Sequence, residues 1–290
     1  MPIIKTVGVI GAGIMGNGIA QVAASFGFDV LLLDVDQKRL EKGMLAITES
    51  LLRFVQKGKI TDVQKSDILK KIKSTTEISD FKVCDFVIEA ASENVEIKLD
   101  LFKKLDEVCK KEAILVSNTS SISITRVGAA TKRPDKIAGM HFMNPVPLMK
   151  LVEGIRGLRT SDDTFKTVRE VAQKMGKTFI EAKDAPAFVV NRILVPMLNE
   201  AVFALQEGLA TVEDIDTAMK LGCNFPMGPF ELLDYVGLDT AQAIMEVMYR
   251  DTGDSKYRPC PLLKKYVEAG FYGRKSGRGF YEYKSDKQLS

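Results

Sequence analysis

Short, unbroken apolar runs alternate with segments of helical period through the first two thirds of the chain. Runs with strand character occupy residues 6–10, 30–33, 85–89, 114–117, 137–142, 150–153 and 178–182, and helical periodicity fills most of the gaps between the early ones. That alternation predicts a parallel sheet covered by helices on both faces. From residue 187 onward only helical patterning continues, with breaks at G-C-N-F-P-M-G-P (222–229) and D-T-G-D (251–254). Thr211 with Asp214 reads as a capping box that opens a helix through Leu221. The change of pattern falls at K-D-A-P-A (183–187). The expected organisation is therefore an α/β domain over 1–185 and an all-α domain over 186–290.

The interval between Asp34 and Asp85 is too long for one crossover helix. Leu40, Met44, Ile47, Leu51 and Val55 form a stripe at helical spacing, and Gly58 ends that helix. Thr61 and Gln64 then cap a second helix, with Ile68, Leu69 and Ile72 expected on one face. This predicts a helical hairpin, about 38–73, inserted in the fold. The hairpin holds ten Lys and Arg against four Asp and Glu, a local charge of +6 in a chain whose net charge is only +3. Such an arm is either an ordinary solvated face or a cationic grip for a ligand phosphate.

The first strand run enters G-A-G-I-M-G, and the second ends in Asp34. G-x-G-x-x-G between a strand and a helix, with an acidic residue closing the next strand, marks a dinucleotide-binding βαβ unit. Gly11 permits the tight turn, Gly13 lets backbone approach a pyrophosphate, and Gly16 lets helix and strand pack closely. Ile14 and Met15 complete the predicted cofactor turn. Asp34 is expected to accept hydrogen bonds from an adenosine ribose and to repel a 2′-phosphate, which favours NAD over NADP. The fold class implied is a Rossmann-type doubly wound sheet with an inserted helical hairpin, followed by an all-α C-terminal domain.

Composition narrows the partners. Hydrophobic residues make up 46% and charged residues 27% of the chain, as in ordinary globular proteins. The near-neutral balance does not suggest nucleic acid. Four separated cysteines show neither zinc nor C-x-x-C spacing, so no metal site is expected and reduced thiols in the cytoplasm are. The N-terminal residues lack the pattern of a signal peptide. The longest apolar stretch, 188–205, contains Asn191, Arg192, Asn199 and Glu200, and is expected to be a buried helix rather than a membrane span.

The single histidine, His141, lies at the end of an apolar run, and Glu153 follows twelve residues later. Two antiparallel strands joined by a turn near residues 144–147 would bring the two side chains together. A carboxylate on one imidazole nitrogen sets the tautomer and strengthens the other as a base. That nitrogen can exchange a proton with an alcohol or ketone, as hydride transfer requires. S-N-T-S-S (117–121) follows a strand directly: Ser120 is a candidate donor to a substrate oxygen and Asn118 a candidate cofactor contact, or both serve as helix caps. Asn191, in the apolar F-V-V-N-R-I-L, either holds an interdomain joint or faces the substrate.

These segments together resemble the L-3-hydroxyacyl-CoA dehydrogenase family in its short stand-alone form. The resemblance rests on V-G-V-I-G-A-G-I-M-G-N-G-I-A-Q, E-A-A-S-E-N, S-N-T-S-S, G-M-H-F-M-N-P-V-P-L-M-K-L-V-E and A-P-A-F-V-V-N-R-I. It continues through E-D-I-D-T-A-M, G-P-F-E-L-L-D-Y-V-G-L-D and G-R-K-S-G-R-G-F-Y, and so covers essentially the whole chain. It implies NAD-linked interconversion of a (3S)-3-hydroxyacyl-CoA and a 3-ketoacyl-CoA, with the 3-hydroxybutyryl and acetoacetyl esters as the short-chain pair. By position, His141 would be the acid/base and Glu153 its orienting partner. Ser120 and Asn191 would hold the reacting oxygen and the thioester. Glu93, Lys98 and Asn144 fall where the family contacts the cofactor. The inserted hairpin would bind the CoA, with Arg53 and Lys57 as candidates. The C-terminal domain would close over the acyl pocket and form a homodimer. The alternatives are a dehydrogenase of a CoA-free hydroxy or sugar acid, and a dinucleotide-binding protein without catalysis.

Overall fold

The computed structural model describes residues 4–283. The chain divides into two compact units, Met1–Ala185 and Pro186–Ser290. In the first unit β1 (Thr6–Ile10), α1 (Ile14–Ser25) and β2 (Asp29–Leu33) are followed by α2 (Gln37–Gln56), α3 (Asp62–Lys70) and β3 (Ile72–Thr75). The chain continues through β4 (Phe86–Glu89), α4 (Val95–Val108), β5 (Ile114–Ser117), α5 (Ile124–Ala129) and β6 (Ile137–Phe142). β7 (Leu151–Arg156), α6 (Asp162–Lys174) and β8 (Thr178–Lys183) complete it.

Among the described residues these strands form one eight-stranded sheet in the order β3-β2-β1-β4-β5-β6-β7-β8. All neighbouring pairs are parallel except β6 with β7. Every residue of β4, β5 and β6 is buried, which is why these strands read as continuous apolar runs. The chain finishes one half of the sheet at β3 and resumes beside β1 at β4. In an open α/β sheet that reversal opens a crevice at the carboxyl ends of the strands.

The hairpin reading needs one correction. α2 and α3 lie where expected, Gly58 follows α2 with a φ of 64°, and the Thr61–Gln64 capping box is formed. α3, however, ends at Lys70, and Ile72 begins β3 instead of extending the helix face. Only Ile72 of I-K-S-T is fully buried, because β3 is an edge strand, so it lacks the apolar run that marks its neighbours. The two helices are therefore the crossover between β2 and β3. Leu40, Ile47, Leu51 and Ile68 belong to the same core as β1 and β2, and burying each adds about 2 kcal/mol.

The second unit contains α7 (Val190–Gln206), α8 (Val212–Gly222), α9 (Pro229–Val236), α10 (Leu238–Thr252) and α11 (Pro261–Glu268). α7 is not buried all round, as its composition had suggested. Val195, Leu198, Asn199 and Val202 face the core, whereas Ile193 is exposed. Asn199 is the fully buried amide of this helix: its Oδ1 accepts from Cys260 N at 2.8 Å and its Nδ2 donates to the Arg258 carbonyl at 3.1 Å. Two buried aspartates organise the rest. Asp216 accepts from Phe230 N, Glu231 N and Tyr281 Oη, and Asp234 from Phe280 N, Tyr281 N and Tyr283 Oη. Each carboxylate thus takes three bonds, which compensates for its removal from water. Among the described residues, no helix is long and apolar enough to cross a membrane.

Candidate active site

The glycine turn between β1 and α1 is sterically determined. Gly11 has a φ of 94°, and a Cβ there would sit 2.6 Å from the Ala90 carbonyl oxygen. A Cβ on Gly16 would lie 1.7 Å from the Gly11 carbonyl oxygen, so only glycine lets α1 start this close to β1. At Gly13, the N-cap of α1, a Cβ would meet nothing within 4 Å among the described residues. Open space at a helix N-terminus that has neither a side-chain cap nor an acidic residue in its first turn suits an anionic pyrophosphate.

Asp34 is 8% exposed. Its Oδ2 accepts from Ala12 N and its Oδ1 from Val35 N, each at 2.7 Å. The carboxylate therefore holds the glycine turn in place as well as facing the cleft. Arg39 approaches it at 3.9 Å and lies 3.3 Å from Asp36. The cleft, about 770 Å³, is lined by Gly11, Gly13, Ile14, Asp34, Arg39 and Lys42 with residues of the β4–α4 segment. Its volume, the uncapped helix N-terminus at one side and the Asp34 carboxylate suit a dinucleotide.

Further along the sheet, antiparallel register sets His141 directly opposite Glu153. Directly opposed residues project from the same face, and a slip of one position would separate them. His141 Nδ1 lies 2.7 Å from Glu153 Oε2, with the two residues 7% and 0% exposed. The strands are joined by the turn containing Asn144, which is exposed, and the cis Asn144–Pro145 bond. The Lys177 ammonium donates to the Val146 and Met149 carbonyls of that turn at 2.6 and 2.7 Å. Burial holds the pKa of Lys177 below the usual lysine value.

The S-N-T-S-S segment leaves the end of β5. Asn118 Oδ1 accepts from Phe142 N at 2.8 Å, which ties it to the residue after the histidine. Ser120 donates to the Glu93 carboxylate from its backbone N at 2.9 Å and from its Oγ at 3.3 Å. Lys98, implied by the family resemblance to contact the cofactor, is 2% exposed and directs its ammonium to both oxygens of Glu89 at 2.6 Å. Glu89 was missed at the sequence level. The signal was present: a glutamate closing the apolar strand D-F-V-I-E must find partners once buried.

Arg53 and Lys57 are exposed on the last turn of α2 and at its C-cap. Asn191 is half-buried in the first turn of α7, just after Ala187 and Phe188, whose φ values are 65° and 52°. Two consecutive non-glycine residues in that region mark a strained entry to the helix. Asp184 accepts from Ser123 Oγ, Ile124 N and Thr125 N and so caps α5.

A cleft lined by the glycine turn and Asp34, with a buried histidine–carboxylate pair on the same sheet, fits a nicotinamide-dependent oxidoreductase. Family models described as the NAD binding domain and the C-terminal domain of 3-hydroxyacyl-CoA dehydrogenase match residues 6–185 and 188–283. The chain belongs to the 3-hydroxyacyl-CoA dehydrogenase family, and its cofactor is NAD. It is 55% identical to a 3-hydroxybutyryl-CoA dehydrogenase of Bradyrhizobium diazoefficiens, across 99% of this chain and 98% of that protein. It is 45% identical to the human mitochondrial hydroxyacyl-coenzyme A dehydrogenase, across 97% and 92% of the two chains. The crystal structure of (S)-3-hydroxybutyryl-CoA dehydrogenase from Ralstonia eutropha superposes with a TM-score of 0.95 at 50% identity, covering 98% of this chain and all of that one.

Proposed function

We propose that this enzyme interconverts (3S)-3-hydroxybutyryl-CoA and acetoacetyl-CoA, with His141 as the acid/base and Glu153 as its orienting partner. The observation that carries the reading is the register pair itself, a buried imidazole held at one nitrogen by a buried carboxylate. Glu153 sets the tautomer and compensates the positive charge that forms when the ring takes a proton. Nε2 is the proton carrier: it takes the 3-hydroxyl proton during oxidation and returns one to the 3-oxo oxygen during reduction. NAD, when bound, supplies the hydride exchange at carbon 3. Gly11, Gly13 and Gly16 with the start of α1, including Ile14 and Met15, would hold its pyrophosphate. Asp34 would hold its ribose.

Ser120 is assigned to the reacting oxygen, its backbone N–H anchored on Glu93 and its hydroxyl free to turn from Glu93 to that oxygen when substrate binds. Asn191 is assigned to the thioester by family resemblance. Asn118, Glu93, Lys98 and Asn144 are assigned to the cofactor side, Asn118 and Lys98 acting through the loop they brace. Arg53 and Lys57 are the proposed phosphate contacts of the CoA, supported by their exposure and by the +6 charge of the 38–73 segment. A cytoplasmic homodimer assembled through the helical domain is part of the same proposal.

The test is NADH and NADPH oxidation with acetoacetyl-CoA beside acetoacetate. Turnover confined to NADH and the CoA ester supports the reading. Equal turnover of the free acid would move the enzyme to the CoA-free alternative, and a requirement for NADPH would overturn the role of Asp34.

A further inference from the structure

The most heavily bonded buried charge beside the site is Glu89, to which no role has been given. It is 0% exposed at the last position of β4, in register with Ser117 on β5. Its Oε1 accepts from Lys98 Nζ at 2.6 Å and Ala91 N at 2.8 Å. Its Oε2 accepts from the same ammonium and from Ser117 Oγ, both at 2.6 Å. Ser117 Oγ in turn accepts from Thr119 N at 3.2 Å. On the other side, Lys98 lies 3.7 Å from Glu93 Oε2, and the Glu93 carboxylate accepts from Thr119 Oγ1, Ser120 N and Ser120 Oγ.

Two routes therefore run from Glu89 to Ser120. One passes through Ser117 and Thr119, the other through Lys98 and Glu93. Both end in the loop whose Asn118 is bonded to Phe142 N, beside His141. A surface ion pair would have little leverage on that loop, but a buried carboxylate with four bonds does, because each broken bond leaves a polar group stranded.

We propose that Glu89 is a positioning residue that sets the 117–122 loop, and through it the Ser120 hydroxyl, for the reacting oxygen of the substrate. The proposal rests on the functional reading above for the substrate, but not for the loop geometry. Lys98 acts in the same device as a buried bridge between two carboxylates.

Glu89→Gln keeps the shape and removes the charge, while Ser117→Ala cuts only the hydroxyl link. Each is expected to lower kcat about tenfold while KM for NADH and for acetoacetyl-CoA stays within about twofold, the signature of lost transition-state alignment. In combination with Ser120→Ala, Glu89→Gln is expected to add almost nothing, since residues acting through one group are not additive. Glu89→Gln with Lys98→Met removes both charges and should recover thermal stability without recovering kcat. If stability and kcat return together, Glu89 is only structural and the proposal fails.

Amide hydrogen exchange provides a readout independent of turnover. The amides of Thr119, Ser120 and Ile122 should exchange at least about tenfold faster in Glu89→Gln or Ser117→Ala, with β1 and β2 unchanged. Unchanged exchange in that loop overturns the proposal even if the substrate reading stands. Faster exchange in an enzyme inactive on CoA esters would instead condemn the substrate reading and leave the positioning claim intact.

Discussion

His141 and Glu153 face each other across the only antiparallel step in the described sheet, Nδ1 to Oε2 at 2.7 Å. A parallel neighbour would require a long crossover between the two residues. Here the eight residues 143–150 suffice, and twelve positions of sequence bring the pair into one register. Glu153→Gln preserves that shape without the charge. It is expected to lower kcat about 10²-fold or more, because the ring loses the group that compensates its protonated form. NADH affinity, read by fluorescence titration, should remain at the wild-type value. A Glu153→Gln enzyme with full turnover would remove the carboxylate from the mechanism.

The glycine turn separates folding from binding. Gly16→Ala places a methyl 1.7 Å from the Gly11 carbonyl oxygen, so α1 must shift, and a loss of about 1–3 kcal/mol or more is expected in a thermal melt. Gly13→Ala meets no protein atom within 4 Å among the described residues, so its Tm should hold while NADH binding weakens. The reverse pattern would show that the open space at Gly13 is not a ligand's.

Charge reversal at Arg53 and Lys57 should raise KM for acetoacetyl-CoA at least about fivefold at low salt and leave NADH affinity and Tm unaltered. Both side chains are exposed, and exposed ion pairs contribute little to stability. Added salt should narrow the gap between variant and wild type, because screening weakens the same attraction in the parent. An unchanged KM would remove these two residues from CoA binding.

The helical domain carries its own pH signature. Burial, followed by the hydrogen bond to Asp234, pushes the Tyr283 phenol up to about 12; Tyr281 is raised for the same reasons, with Asp216 as its partner. Below pH ~10 these phenols are protonated in both folded and unfolded chains, so their contribution to stability is complete. As pH rises towards 12, the unfolded chain releases its protons first and that contribution is lost. Paired Tyr281→Phe and Tyr283→Phe substitutions should flatten this alkaline decline, followed by far-ultraviolet circular dichroism. Superimposable pH curves would contradict it.

Much of this was legible in the chain because the signals were local. The glycine spacing and the Thr61–Gln64 and Thr211 caps depend on residues a few positions apart, and the His141–Glu153 pair on two consecutive strands. β3 was missed because an edge strand with one fully buried residue has no apolar run, and Ile72 matched the preceding helical stripe equally well. The Asp34 bond to Ala12 N and the Asp216 and Asp234 anchors join separate segments, and the nine-residue Glu89–Lys98 interval runs from a strand into a helix and follows neither period, so no local pattern announces them. An isolated carboxylate in an apolar strand shows that a partner must exist without saying which.

The measurement closest to the central claim is the turnover of His141→Gln with NADH and acetoacetyl-CoA, beside its NADH dissociation constant. If His141 carries the proton, kcat falls by about 10²–10⁴ while NADH binds as in the wild type. A variant that binds NADH normally and keeps wild-type turnover would show that the proton travels by another group, and the assignment of this site would have to be abandoned.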